Sequence, residues 1–385
     1  MKNLRTESTH QAGFSLPELM VATLLGMILT AGVVSVYTAS MKDYALNNAL
    51  EDVQKSGRLA LSLLEPKIRM AGFFGCGHSM QPGSILKTDL AIYSAAAAVQ
   101  GYEYIGTGMG VTYPNITHAL KAGISAADWS PSLPPEMSQA IGVNSAGPGA
   151  AVPGSDILLL HEAAPGGIDL VDPYTDDAGG LFVTTGQDAQ LAIGEIVVVS
   201  DCKHADLFQI TNIGGNYQDG KHDRIDRSAD ATFSPGNDPS GQSSHNNYGA
   251  GSQILPYETY LFYIGMDRDK NPSLYEISLG NNAALGKPVE LASGVESMQM
   301  LYGVDTDGDE IPNQYLTADQ VTDWSHVVCI RIALLTRSGG NITNAGSESS
   351  FKLLDPSNGL TLTVSGDGHI RKVFEETISI RNRLP

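Results

Sequence analysis

Positive charge is scarce in this sequence. Its 385 residues include 23 lysines and arginines against 42 aspartates and glutamates, which gives a formal net charge of −19. A strongly acidic chain is a poor candidate for binding the phosphate backbone of DNA or RNA. We therefore expect no nucleic-acid partner and attribute the acidity to solubility.

The common catalytic motifs are also missing. The sequence has no Gly-x-Ser-x-Gly elbow and no Gly-x-x-x-x-Gly-Lys-Ser/Thr phosphate loop. Its nine histidines do not cluster, and the neighbouring Cys202 and His204 supply only two of the ligands that a zinc site needs. These absences argue against an enzyme and against a zinc protein.

The first 41 residues carry the most informative pattern. From Leu19 to Met41 there are 23 residues without a charge, enough for a helix of about 35 Å that crosses a bilayer. The run Gly13-Phe14-Ser15-Leu16-Pro17-Glu18 stands directly before it and places a costly carboxylate at the entrance of the apolar helix. An ordinary secretory signal is cleaved after its apolar region, whereas the cut indicated here, at Gly13, comes before it.

This arrangement resembles the class III signal of type IV prepilins and of type II secretion pseudopilins. The resemblance implies that a prepilin peptidase cleaves between Gly13 and Phe14 and methylates the new terminal amine. It also implies that Glu18 neutralises the amine of a neighbouring subunit during assembly. A plain signal anchor with a chance glutamate is the alternative interpretation.

The chain is expected to contain four segments: a leader at 1–13, a transmembrane helix at 14–41, an amphipathic continuation at 42–75 and a β-rich exported domain at 76–385. The continuation is indicated by apolar residues at spacings of three and four, namely Leu46, Leu50, Val53, Gly57, Ala60 or Leu61, Leu64 and Ile68. Pro66 is expected to kink or end the helix. The fold class is therefore α+β, with a long N-terminal helix packed on an antiparallel sheet.

Alternating and β-branched runs predict the strands of the domain. Clear examples are Gly194–Ser200, Thr259–Ile264, Val295–Tyr302, Val327–Thr336 and Lys372–Arg381. Two stretches lack such patterns and are predicted as long loops or insertions, one near 80–155 and one near 212–253.

Several of these runs narrow the resemblance to one family. Val199–Cys202, Gly294–Met298, Tyr302–Asp309, Arg331–Ser338 and Phe374–Arg383 look like the corresponding parts of PilW-type minor pilins. The resemblance covers both ends of the chain and is weak across about 80–150 and 212–253. PilW-type proteins are similar to the J-type pseudopilins of type II secretion.

Cysteine is nearly absent, since there are only three. Three cysteines allow at most one bridge within the chain, provided that the domain lies in a compartment that permits disulfides. Cys329 lies in an apolar run and is predicted to be a buried thiol. We predict a disulfide between Cys76, in a glycine-rich loop after the helix, and Cys202, just past a strand.

Asp305-Thr306-Asp307-Gly308-Asp309 places carboxylates at alternate positions of a turn, with Asn313 four residues on. Calcium takes oxygen ligands at such positions, so Asp305, Asp307, Asp309 and Asn313 form a candidate calcium site. Glu310 stands where a calcium loop has glycine, and Leu316 stands where it has a bidentate glutamate. An acidic β-turn without a metal remains the alternative.

The resemblance implies a structural protein that takes part in priming type IV pilus assembly and sits in the pilus tip complex. The implied partners are other minor pilins, the major pilin, a tip adhesin, the prepilin peptidase and the inner-membrane assembly platform. The implied location is the inner membrane, crossed once with the domain in the periplasm, and later the pilus tip. Two alternatives to this function are a J-type pseudopilin and a signal-anchored exported enzyme, which would need converging titratable groups. Surface adhesion through the long loops is a third alternative and could coexist with the pilin role.

Overall fold

The computed structural model of the chain describes residues 13–76, 81–88, 90–94, 97–114, 124–145, 147–171, 180–217, 221–239, 246, 248–280, 283–340, 348–355, 357–364 and 366–383. The first twelve residues of the predicted leader lie outside this set. The chain divides into two compact units, one ending at Glu51 and the other running from Asp52.

The first unit is the N-terminal part of one long helix, α1, which runs from Leu16 to Met70. Its apolar side chains, such as Leu25, Ile28 and Val36, are exposed. The helix is long and apolar enough to cross a membrane by length and composition. Leu46 and Leu50, which were expected to begin the packing stripe, are also exposed.

In the second unit, α1 buries the later part of the predicted stripe. Val53, Ala60, Leu64 and Ile68 are fully buried. Pro66 lies inside the helix, just before its last turn, and the helix ends at Met70 and not near residue 75. Gly72 follows with a φ of +76°, a conformation that glycine adopts without steric cost. The later part of the predicted stripe therefore packs as expected, its first two residues do not, and the helix ends five residues before the predicted boundary at residue 75.

Besides short 3-10 turns, the described part of the second unit contains one further α-helix and twenty strands: β1 Gly83–Ser84, β2 Val99–Tyr104, β3 Thr112–Tyr113, β4 Trp129–Ser130, α2 Pro135–Ala140, β5 Ile157–Ala163, β6 Ile168–Asp169, β7 Leu181–Thr184, β8 Ile196–Ser200, β9 Ala205–Gln209, β10 Asn212–Tyr217, β11 His222–Asp226, β12 Gln253–Met266, β13 Pro272–Ser278, β14 Val289–Ser293, β15 Val295–Val304, β16 Gln314–Leu316, β17 Val327–Arg337, β18 Ser349–Leu353, β19 Leu360–Val364 and β20 Arg371–Ser379. The predicted α+β class is confirmed.

The main sheet has ten strands, with the order β1-β9-β8-β12-β5-β2-β4. In addition, β6 and β13 pair with β12, and β14 pairs with β13. The length of β12 explains the branching, because its first residues pair with β6 and β8 while its later residues pair with β5 and β13. A second sheet, β16-β15-β17-β20, has four strands, and the sheets β10-β11-β7 and β18-β19-β3 have three each.

The segments expected as insertions contribute to these sheets. Within 80–155, β2 pairs with β5 inside the main sheet. Within 212–253, β10 and β11 pair with each other, and Ile225 is fully buried. Both segments were underestimated because their strands are short and contain glycine, as at Gly101 and Gly214, which weakens the alternating pattern.

Residues of α1 and of two sheets share one core. Ala60, Leu64 and Ile68 pack with residues of the main sheet and of the four-stranded sheet, namely Leu158, Leu160, Phe262, Ile264, Met298, Met300, Ile330, Ile332, Leu334 and Ile378. The helix approaches so closely that a Cβ on Gly57 would overlap the Phe374 ring. The opposite face of the four-stranded sheet is covered by the β18-β19-β3 side, through Leu353, Leu360 and Leu362.

Asp156 joins the main sheet to the four-stranded sheet. Its carboxylate accepts the Tyr104 N–H at 3.0 Å through one oxygen and the Met300 N–H at 3.0 Å through the other. The buried carboxyl of Glu103 lies nearby. Burial and the adjacent carboxyl groups of Asp156 and Asp319 raise the pKa of Glu103. Burial also raises the pKa of Asp156.

Glu103→Gln is expected to stabilise the protein more at pH 8 than at pH 5. A raised folded-state pKa means that the folded protein holds a proton that the unfolded chain loses, so stability falls as pH rises above the unfolded pKa of about 4.3. Glutamine has no proton to lose. Chemical denaturation of the full chain in detergent should therefore show a gain of about 1 kcal/mol or more at pH 8.

The exposed Glu136 of α2 provides the control as Glu136→Gln. Identical pH profiles for wild type and Glu103→Gln would show that Glu103 ionises freely in the folded state, contrary to this account.

Candidate functional site

The predicted cleavage point lies in non-helical chain directly before α1. Residues 13–15 have no regular secondary structure, and the helix begins at Leu16. Apart from the adjoining residues of the chain, no atom of the described residues lies within 4 Å of the position where a Cβ on Gly13 would stand. Phe14 is 87% exposed. Within the described residues, nothing outside the adjoining chain therefore blocks the approach of a peptidase to the Gly13–Phe14 bond.

Glu18 lies in the first turn of α1 and folds back onto Ser15. One oxygen, Oε2, accepts the Ser15 N–H at 3.0 Å and the Ser15 hydroxyl at 2.9 Å. Pro17 suits this turn because it has no N–H that would need a partner. Sequence reasoning missed Ser15, although the spacing Ser-x-x-Glu is a known signal of a helix N-terminus.

This geometry leaves the Glu18 carboxylate with room for another donor. Both hydrogen bonds from Ser15 reach the same oxygen, and among the described residues none donates to Oε1. A cationic group can therefore approach Oε1 without displacing Ser15. The arrangement holds a carboxylate at a defined height on the helix, next to the predicted new terminus at Phe14.

The predicted disulfide is confirmed. Cys76 and Cys202 are bonded, with 4.8 Å between their Cα atoms. Cys202 lies in the turn from β8 to β9, which Asp201 shapes by accepting the N–H groups of Lys203 at 2.9 Å and His204 at 2.6 Å. The bond ties the chain just after α1 to the main sheet across 126 residues.

Cys329 lies in β17 as a buried free thiol, as predicted. Its Sγ lies 3.7 Å from the Tyr315 hydroxyl, on the neighbouring hairpin. Burial raises the pKa of this thiol, which keeps it protonated and unreactive at neutral pH.

The acidic turn brings three predicted ligands together. One carboxylate oxygen from each of Asp305, Asp307 and Asp309 lies within 4.8 Å of the others. Asp305 also builds the turn, because it accepts the N–H groups of Gly308 and Glu310, each at 2.8 Å. Glu310 adopts a φ of +63°, the conformation that favours glycine at this position of a calcium loop.

Asn313, the fourth predicted ligand, is turned to other partners. Its side-chain oxygen accepts the Thr306 N–H at 2.6 Å and the Thr306 hydroxyl at 2.9 Å. Its amide group donates to Asp307 at 3.2 Å. In this arrangement Asn313 braces the turn and offers no oxygen to a cation beside the three carboxylates.

These features together define a class of protein. An accessible Gly–Phe bond, an apolar helix with a carboxylate in its first turn and a disulfide-bonded α+β domain form the plan of a prepilin-like protein. Residues 8–34 match the family model of the prokaryotic N-terminal methylation motif. Residues 261–382 match PilW, described as type IV pilus-assembly protein W.

The predicted resemblance to PilW-type proteins and to prepilin signals is thus confirmed. The PilW match extends from β12 to the end of β20 and includes the whole four-stranded sheet. No curated protein matches the chain, and no solved structure does. The two family matches and the apolar helix support a membrane-anchored minor pilin related to the type IV pilus.

The double substitution Cys76→Ser/Cys202→Ser is expected to lower the free energy of unfolding by about 2–4 kcal/mol, because the unfolded chain regains the freedom that the bridge removes. Denaturation of the full chain in detergent measures the loss. A reductant should destabilise the wild type by a similar amount and leave the double variant unchanged.

Alkylation of unfolded, unreduced protein should label Cys329 alone. Labelling of all three cysteines in protein taken from the periplasm, or a bridge that includes Cys329, would contradict the assignment.

Proposed function

We propose that this protein is a minor pilin that takes part in priming type IV pilus assembly and lies in the pilus tip complex. The observation that carries the proposal is Glu18, held by Ser15 in the first turn of an exposed apolar helix and next to the predicted terminus at Phe14. A carboxylate at that depth of a membrane is costly unless it is paired.

The pairing explains how a subunit finds its position. After cleavage at Gly13, the new amine of Phe14 is a cation at the same end of the helix as Glu18. An amine of one subunit that meets Glu18 of another removes two unpaired charges from the apolar layer and sets the axial offset between the two helices. The apolar side chains of α1 are then covered by neighbouring helices, first in the membrane and later in the fibre.

The partners in this proposal are the prepilin peptidase, the inner-membrane assembly platform, the other minor pilins, the major pilin and a tip adhesin. The location is the inner membrane with the domain in the periplasm, then the pilus tip. The PilW match favours this assignment over a J-type pseudopilin, since it carries the description of a pilus-assembly protein.

Glu18→Ala is expected to insert into the membrane and to be cleaved like the wild type, yet to co-purify poorly with partner minor pilins. Removing the carboxylate lowers the cost of insertion while it deletes the group that pairs with the neighbouring amine. Glu18→Asp should be intermediate, because it keeps the charge on a shorter arm. Mass spectrometry of the mature N-terminus and co-purification are the measurements.

Gly13→Val serves as the control for processing and should retain the leader. Recovery of cleaved, inserted Glu18→Ala with its partners at wild-type levels would rule out the carboxylate as an assembly determinant. A Gly13→Val protein that begins with Phe14 would refute the cleavage assignment.

We also propose that the turn at Asp305, Asp307 and Asp309 binds calcium weakly. The three carboxylate oxygens converge, and the turn is preformed by hydrogen bonds to Asp305. Calorimetric titration of the full chain with Ca²⁺ should give a dissociation constant of about 10⁻⁴–10⁻³ M. Asp307→Asn/Asp309→Asn should abolish the signal, while Asp269→Asn in another turn should not. Absence of binding in the wild type would disprove it.

A further inference from the structure

One face of the main sheet changes from apolar to acidic beside α1. On β5, β12 and β13, the residues that face the shared core are Leu158, Leu160, Phe262, Ile264 and Leu274. Side chains alternate between the two faces of a strand, so other residues of these strands lie on the same face as the apolar ones. These residues are Glu162, Glu258, Tyr260 and Glu276. Glu258 lies directly opposite Glu162 in the register, so like charges are adjacent.

Glu162, Glu258 and Glu276 form the acidic face. Among the groups that interact with it, the positive charge comes from Lys67, in the last turn of α1. Its Nζ lies 3.6 Å from Oε1 of Glu162 and 3.4 Å from the centre of the Tyr260 ring. Lys67 also lowers the pKa of Glu258 and Glu276 by its charge, although burial raises both pKa values overall. One ammonium therefore serves three carboxylates.

Glu162 has an oxygen without a donor. The residue is 7% exposed, and its buried Oε2 has no hydrogen-bond partner among the described residues. A buried carboxylate oxygen that lacks a partner costs free energy. Burial and the charge of Glu276 raise the pKa of Glu162, while Lys67 lowers it. Glu258 and Glu276 are half-buried and open to an incoming group.

The cation that best fits the acidic face is a side chain and not a metal ion. Among the described residues, the carboxylate groups that converge closely enough for a metal are those of the Asp305 turn, and the glutamates of the acidic face are not among them. Carboxylates spread over a face in this way suit a guanidinium or an ammonium, which can bridge two acids.

We propose that the acidic face binds a lysine or arginine side chain of an adjacent pilus subunit. This inference rests on the proposed function, because it requires a neighbour in the fibre or in the tip complex. The incoming cation adds positive charge to that of Lys67, which alone does not balance three carboxylates. The acidic face lies beside the C-terminal end of α1, whereas Glu18 lies at the N-terminal end. The site would thus act as a second electrostatic contact in assembly, on the globular domain.

The test is the double variant Glu258→Gln/Glu276→Gln of the full chain, expressed in cells that assemble pili. The processed chain recovered in the sheared pilus fraction, relative to that in membranes, is expected to fall about tenfold, which corresponds to about 1.4 kcal/mol. Thermal stability should not fall, because the substitutions remove like charges that face each other. A loss of recovery with unchanged stability cannot come from misfolding.

Glu136→Gln/Glu290→Gln removes the same number of charges from exposed positions and should be recovered like the wild type. Wild-type recovery of Glu258→Gln/Glu276→Gln would overturn the inference and leave the proposed function intact. A wild-type chain that never enters the pilus fraction would overturn both. A carbodiimide crosslink from Glu258 or Glu276 to a lysine of another subunit would support the inference directly.

Discussion

The packing of α1 onto two sheets at once is the constraint on which the rest of the domain depends. Ala60, Leu64 and Ile68 belong to one core cluster with residues of the main sheet and of the four-stranded sheet, so the helix completes the core that the two sheets share. The contact is close, because Gly57 leaves no side chain between the helix and the Phe374 ring. The same helix is long and apolar enough to cross a membrane. Its surface is therefore apolar all round in the first part and apolar along one stripe in the later part.

The C-terminal end of α1 is secured by several independent contacts. Asn382 donates to the carbonyl groups of Met70 and Ala71 at 3.1 and 3.2 Å, which satisfies carbonyls that a helix end leaves open. The Gly72 N–H donates to the His161 carbonyl at 2.7 Å on β5. The Cys76–Cys202 bond follows a few residues later. Residues near the C-terminus and residues of the main sheet thus both fix the segment that follows α1.

The sequence predicted the elements whose side chains alternate or repeat strongly. The helix, β8, β12, β15, β17 and β20 lie where those patterns stand, because a buried face imposes its period on the residues. The strands β2 and β10 were missed, since Gly101 and Gly214 contribute no side chain to a pattern. Gly101 is needed for another reason: a Cβ there would overlap the Tyr302 hydroxyl. That requirement is tertiary and has no local signal.

The same limit applies to the functional positions. Gly13, Phe14 and Glu18 were recognisable because their motif is contiguous, and the disulfide was predictable because three cysteines leave few choices. The acidic face was not, since Glu162, Glu258 and Glu276 are far apart in sequence and meet only through strand pairing. Glu18 and the acidic face share one chemical character: each is a carboxylate site whose neighbours in the chain compensate it in part. Ser15 donates to one oxygen of Glu18, and Lys67 faces three glutamates. In the proposed assembly, partial compensation leaves each carboxylate site with a net attraction for a cation of a neighbouring subunit.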